Sequence, residues 1–202
     1  MRKLEAALTY ASWGLHVLPV VCDGKIPATS HGVKDATTDK QTIERWWGQN
    51  PDYNIGIAAG QKSGVAVFDI DPRNGGDVSW QQFQKDYGHL PETIQALTAG
   101  GGYHFLVKHD PDLRSCKLLE GVDYLADGRY FLAYSSTIEG RRYEWEASSD
   151  PFDGVAPVAI PEAYLPAFQK THKTKANGQL IRGSRNDGLA SLAGAMRSYG
   201  MA

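Results

Sequence analysis

The chain has 202 residues, 42% of them hydrophobic, and a formal net charge of −2, enough to bury one good core or two small lobes around a cleft. The charge argues against a protein that grips nucleic acid through a global positive field, so any such contact rests on local patches. No apolar run nears the ~20 residues of a membrane span, and Met1-Arg2-Lys3-Leu4-Glu5 brings an acid too early for a signal peptide, so the expectation is a cytoplasmic protein with no membrane partner.

Leu4, Ala7, Leu8 and Ala11 recur at helical spacing and Gly14 stands where a C-terminal cap belongs, which predicts a helix over residues 2–13. A strand is predicted from His16 to Val21. The turn Cys22-Asp23-Gly24-Lys25-Ile26-Pro27 then puts Lys25 either against a phosphate or simply in solvent. Thr38 or Asp39 can cap a helix carrying Ile43, Trp46 and Trp47, which Asn50-Pro51 ends; the shared face makes the tryptophans core residues rather than a stacking platform. Asn54 to Ala58 reads as a short strand leading to Gly60, and Ser63-Gly64 turns the chain into the next one.

That next strand, Val65-Ala66-Val67-Phe68-Asp69-Ile70-Asp71, is β-branched and aromatic and closed by Pro72, as for a strand interior to a sheet. Alternation sends Asp69 and Asp71 from one face, roughly 6–7 Å apart. Two carboxylates so placed repel unless a cation joins them, and Mg2+ takes one or two protein carboxylates with water and substrate phosphates completing its shell. This is half of a two-metal phosphoryl-transfer site; the other reading is a strand end whose acids cap the turn into Arg73-Asn74-Gly75-Gly76.

Beyond it, Trp80, Phe83 and Tyr87 share a face of a helix predicted over roughly Val78 to Tyr87, which should cover the sheet. Ile94 to Thr98 reads as a strand, Ala99-Gly100-Gly101-Gly102 as a loop, and Tyr103 to Val107 as the returning strand. Three consecutive glycines suggest that something approaches the backbone closely. His104 faces away from Tyr103 and Phe105, beside a loop whose N–H groups could form an anion nest; it is otherwise an ordinary structural histidine.

Gly121 to Leu125 reads as a strand in which Asp123 would be costly without a partner, a cost that a metal shared with Asp69 and Asp71 would remove; as a turn acid it needs none. A turn at Ala126-Asp127-Gly128, a strand from Arg129 to Tyr134 ending in Ser135-Ser136, a last strand from Tyr143 to Glu146 and a proline-punctuated exit over Pro157 to Pro166 follow. Cys22 and Cys116 lie far apart with no second Cys at ligand spacing, so reduced thiols are expected and a zinc ribbon is not. Basic patches are Arg141-Arg142, Lys170 with Lys173 and Lys175, and Arg182 with Arg185, each of a kind that is more often just a solvated surface. The domain expectation is a core over 1–168, a linker over 169–183, and the start of a helical domain over 184–202, whose stripe of Leu189, Leu192, Ala193 and Met196 makes the chain look like part of a longer protein.

In chain order, Phe68-Asp69-Ile70-Asp71, Gly101-Gly102-Tyr103-His104 and Gly121-Val122-Asp123 resemble the three motifs of the archaeo-eukaryotic primase superfamily, and more narrowly the bifunctional primase/polymerase (prim-pol) domain of phage and plasmid replication proteins. Residues 4 to about 165 carry the resemblance, with Gly24-Lys25-x-Pro27, Asn54-x-Gly56-x-x-x-Gly60, Leu90-Pro91-x-Thr93 and Ser136 as outer features. It implies an α/β (α+β), two-lobed fold with mixed sheets and a catalytic lobe like an RNA-recognition sheet. It further implies that Asp69, Asp71 and Asp123 are catalytic and hold two Mg2+ or Mn2+ ions, and that His104 contacts the triphosphate. Gly101, Gly102, Lys25 and Ser136 complete the expected nucleotide-binding set. Implied partners are a single-stranded DNA template, dNTP or NTP, and a helicase domain in the full-length chain, in a bacterial or archaeal host cytoplasm. Two other readings stand beside this one: a non-catalytic replication-initiation module that binds DNA, and a metal-dependent phosphodiesterase.

Overall fold

A computed structural model describes residues 2–169. The expected linker and terminal helix, and the basic residues from Lys170 onward, lie outside the described residues. Residues 1–164 form one unit and a second begins at Leu165, of which only a short helical stretch over 165–169 is described.

Helix α1 (Lys3–Ser12) opens with Glu5 reaching back to the Arg2 N–H, buries Ala6, Ala7 and Tyr10, and is closed by Gly14 at φ +82. Strand β1 (Val17–Val20) is buried along its whole length. Of the two possible caps of α2 (Lys40–Gln49), Asp39 is the one used: its Oδ2 accepts from the Thr42 N–H at 2.8 Å. Trp47 is fully buried and donates Nε1–H to the Tyr53 carbonyl, whereas Trp46 is only half-buried. Strand β2 (Asn54–Ala58) pairs with β1 and with β8 (Tyr130–Leu132) in a three-stranded antiparallel sheet.

The second sheet has six strands. At its centre is β3 (Val65–Ile70), between β5 (Tyr103–Lys108) and β7 (Val122–Leu125); β4 (Gln95–Leu97) and β11 (Glu144–Trp145) extend it on one side and β6 (Cys116–Leu119) on the other. The expected mixed sheet is corrected here, because among the described residues every pairing between strands of a sheet is antiparallel. The crossover from β3 through α3 (Gly76–Tyr87) does deliver β4 in the same direction as β3. Strand β5 is inserted between the two, a split βαβ unit, so no parallel contact forms. Strand β6 and the small hairpin of β9 (Thr137–Ile138) and β10 (Arg141–Arg142) were not predicted.

The two faces of β3 do different work. Ala66, Phe68 and Ile70 face outward, where Phe68, Trp80, Phe83, Phe105, Tyr124 and Tyr164 interlock with ring centroids 4.7–6.3 Å apart, so α3 covers the sheet as its aromatic stripe predicts. Val65 and Val67 face inward, into a core shared with α1, α2, Ile55 and Ile57 of β2 and Phe131 of β8. Asp69 is next on that inner face, where the core gives way to a cleft.

Candidate active site

The antiparallel ladder sets the site. Asp69 lies directly opposite His104 on one side and Asp123 on the other, and the row continues to Lys117 beyond Asp123 and to Ala96 and Trp145 beyond His104. Directly opposed residues have Cβ atoms about 4.5–5.5 Å apart on one face, so Asp123, Asp69 and His104 are forced together by register alone. They line a cleft of about 360 Å³ with Lys25, Asp71, Arg73, Asn74, Thr98, Lys117, Glu120 and Tyr143. An adjoining hollow shares Lys25, Asp69, His104 and Tyr143 and adds Arg129 and Tyr130.

His104 is almost fully enclosed, packed by Phe131 and Tyr143 with ring centroids 5.8 Å away, and its Nε2 stands 3.5 Å from Asp69 Oδ1. Its Nδ1 is buried and has no hydrogen-bond partner among the described residues. Asp123 is exposed as a residue, but protein crowds its carboxylate in the cleft. This loss of water, and then the Asp69 charge, push its carboxyl above the usual range. Burial, and secondarily the nearby Asp69 charge, raise the Tyr143 phenol to about 12. Lys25 stands at the cleft edge on a loop pinned twice: the Tyr130 hydroxyl donates to its carbonyl, and Asn54 Nδ2 donates to the Gly24 carbonyl at 3.2 Å.

Two expectations need correction, and of the two readings of the acid pair the turn cap is realised at Asp71, which lines the same cleft as Asp69. Asp71 is the residue at which the chain leaves β3, and Pro72 turns it into a 3-10 turn that Asp71 caps. Its Oδ1 accepts from the Arg73 N–H and Nε at 3.0 and 3.1 Å, and its Oδ2 from Arg73 Nη2 and Asn74 Nδ2 at 3.2 and 2.8 Å. The Arg73 bonds hold its carboxyl below the usual carboxylate range. Among the described residues no group of three or more acids, histidines or cysteines is placed as the ligands of a metal ion would be.

The glycine loop is not a free anion nest at Gly101 and Gly102. The Gly101 N–H donates to the Thr98 carbonyl and the Gly102 N–H to Thr98 Oγ1, each at 2.9 Å. What approaches the backbone is the chain itself: a Cβ on Gly102 would lie 2.2 Å from the Ile70 carbonyl oxygen, and one on Gly100 would lie 3.0 Å from Arg73 Nη2. Ser136 is fully buried, accepting from the Ile55 N–H at 2.9 Å and donating to its carbonyl at 3.3 Å, so it braces β2 rather than lining the cleft.

Sequence reasoning missed Arg73, Lys117 and Tyr143. Lys117 could be found only by knowing that β6 pairs with β7. Arg73 was visible as the cation following the acid pair in Asp71-Pro72-Arg73.

Residues 7–163 match the model of the bifunctional DNA primase/polymerase, N-terminal (Prim-Pol) family. The chain belongs to that family. A search of curated proteins gave no match. The Prim-Pol match covers all the cleft residues named above, and membership points to a primase/polymerase-type function and a nucleotidyltransferase-type enzyme. The donor set fits the metals expected of such an enzyme in kind: carboxylate oxygens that suit Mg2+ or Mn2+, two of them opposed by register and a third, Asp71, in the same cleft and bonded to Arg73. Among the described residues no helix is long and apolar enough to cross a membrane.

Proposed function

We propose that this Prim-Pol domain is a metal-dependent nucleotidyltransferase that starts and extends a DNA strand on a single-stranded template, in replication of the phage or plasmid type. The observation that carries the reading is the cross-strand row Asp123, Asp69, His104, which unites two carboxylates and an enclosed imidazole at a cleft edged by Lys25, Arg73 and Lys117. Asp69 and Asp123, joined by Asp71, would hold two Mg2+ or Mn2+ ions, which supply charge neutralisation at the phosphoryl group and activation of the attacking hydroxyl. Lys25 and His104 orient the triphosphate of a dNTP or NTP. The 3′-oxygen bonds to the α-phosphorus as the bond to the bridging oxygen breaks, and pyrophosphate leaves. Lys25, Arg73 and Lys117, set among the carboxylates of the cleft, would meet the negative charge that develops on the phosphates.

The test is primer synthesis and primer extension on single-stranded circular DNA, with NTP, dNTP or both, with and without Mg2+ or Mn2+. Incorporation that depends on metal and falls by orders of magnitude in Asp69→Ala and Asp123→Ala is expected. Template binding without incorporation would turn the reading into a replication-initiation module. Cleavage of labelled single strand by metal without nucleotide would turn it into a phosphodiesterase. A helicase domain in the full-length chain is the partner that this activity would serve.

A further inference from the structure

In the cleft it shares with Asp69, Asp71 is engaged by an arginine whose guanidinium suits phosphate as well as carboxylate. The Arg73 side chain is 66% exposed and lines the cleft, and a Cβ on Gly100 would lie 3.0 Å from its Nη2 and 3.1 Å from its Cζ, so the glycine leaves room for the guanidinium. Its Nε and Nη2 are on Asp71, while no hydrogen bond recorded among the described residues uses Nη1. A guanidinium matches carboxylate and phosphate oxygens with the same two-pronged geometry, so it can exchange one for the other without changing character.

We propose that Arg73 is a ligand of the incoming nucleotide's phosphates, and that its transfer from Asp71 to those phosphates couples nucleotide arrival to the release of Asp71 for metal. The inference rests on the nucleotidyl-transfer reading of the cleft and adds an order to it. With Arg73 on Asp71, a cation entering between the acids meets one carboxylate already neutralised and a guanidinium that repels it. With Arg73 on a triphosphate, the Asp71 carboxylate loses its ion-pair partner and is left beside Asp69 in the cleft, open to a cation. Coupling of this kind is reciprocal: nucleotide tightens metal and metal tightens nucleotide by the same factor.

The experiment uses the full chain, Mn2+ alone, dATP alone, and each in the presence of the other, with binding followed by titration calorimetry and Mn2+ electron paramagnetic resonance. In the unaltered protein each should tighten the other. In Arg73→Ala, dATP should bind about ten- to a hundredfold more weakly. Mn2+ alone should bind several-fold more tightly, and the coupling factor should fall to near one. A residue that merely supported the turn would weaken metal binding when lost rather than strengthen it. Arg73→Lys, which keeps the charge and the turn but not the fork, should fall between the two. If both variants bind dATP and couple it to Mn2+ as the unaltered protein does, the role of Arg73 is rejected and the active-site reading stands. If the unaltered protein binds neither Mn2+ nor dATP, both fall together.

Discussion

The three acids have the same chemistry and different environments, which predicts opposite stability effects. Asp123 has a carboxyl raised by loss of water and by Asp69, so its charged form is disfavoured in the fold; that penalty grows as pH rises from the ordinary Asp value through the raised one. Asp123→Asn should therefore raise the melting temperature at pH 7 by on the order of 1 °C, and the gain should vanish below the ordinary Asp pKa. Asp71 is the reverse case. Its lowered carboxyl contributes stability above the ordinary Asp value that is lost as pH falls through the lowered one, and it caps a turn as well. Asp71→Asn should cost about 0.5–1 kcal/mol at neutral pH, shrinking in acid. Thermal melts of both variants from pH 3 to 7 check the signs, and two curves moving in the same direction would contradict these environments. The acids and His104 were legible because an acid pair ending a buried strand is an unusual pattern. The turn cap at Asp71 was one of two readings that the sequence left open, because the choice depends on which way a side chain satisfies the N–H groups after Pro72, and period-two alternation says nothing past the strand end.

At the scale of elements, the site depends on one close crossing. Gly121 stands at φ +63 just before β7, and a Cβ there would lie 2.4 Å from the Gly76 nitrogen and 2.6 Å from the Asn74 carbonyl oxygen. The Asp71 N–H donates to the Gly121 carbonyl at 2.8 Å in the same knot, so the start of β7 and the exit of β3 are fixed to each other. Gly121→Ala should destabilise the protein by about 2–4 kcal/mol, since backbone atoms rather than a flexible side chain must move. The fraction that remains folded should also incorporate nucleotide poorly, because Asp123 would shift against Asp69. Urea unfolding with activity measured per folded molecule separates the two effects, and near-normal stability would contradict the crossing. Most element positions were legible from period and turn residues; strand order was not. Residues 108–120 look poor in structure by themselves, and β6 forms there because Lys117 and Cys116 find β7 alongside. The antiparallel pairing likewise follows from β5 entering between β3 and β4, an event remote in sequence.

For the molecule as a whole, the inner faces of both sheets and the first two helices share one core within residues 1–164, and the family match over 7–163 encloses the cleft. A chain ended after Phe168 should therefore fold and extend a pre-formed primer at a rate within a few-fold of the full chain. Starting a strand, which requires holding two nucleotides at once, is where the remaining residues would contribute. A primer-extension assay on purified truncated protein decides the matter, and loss of extension would make the removed segment part of the polymerase. Net charge, the coarsest reading of the sequence, left room only for local contacts, and at the cleft Lys25, Arg73 and Lys117 stand among the acids.

Backbone pairing around the acids also carries a consequence for isotope exchange. From Val67 to Ile70 the central strand is laddered on both sides, by β5 and by β7, whereas the Arg73 N–H is held only by the Asp71 side chain on an exposed turn. Amide deuterons should thus enter Val67 to Ile70 last, on the timescale of global unfolding, and enter Arg73 early. Within a few residues of chain the cleft would then hold both the slowest and one of the fastest clocks in the protein. If Arg73 leaves Asp71 for a nucleotide, its amide should run faster still when dATP and Mn2+ are added, while Asp69 keeps its time.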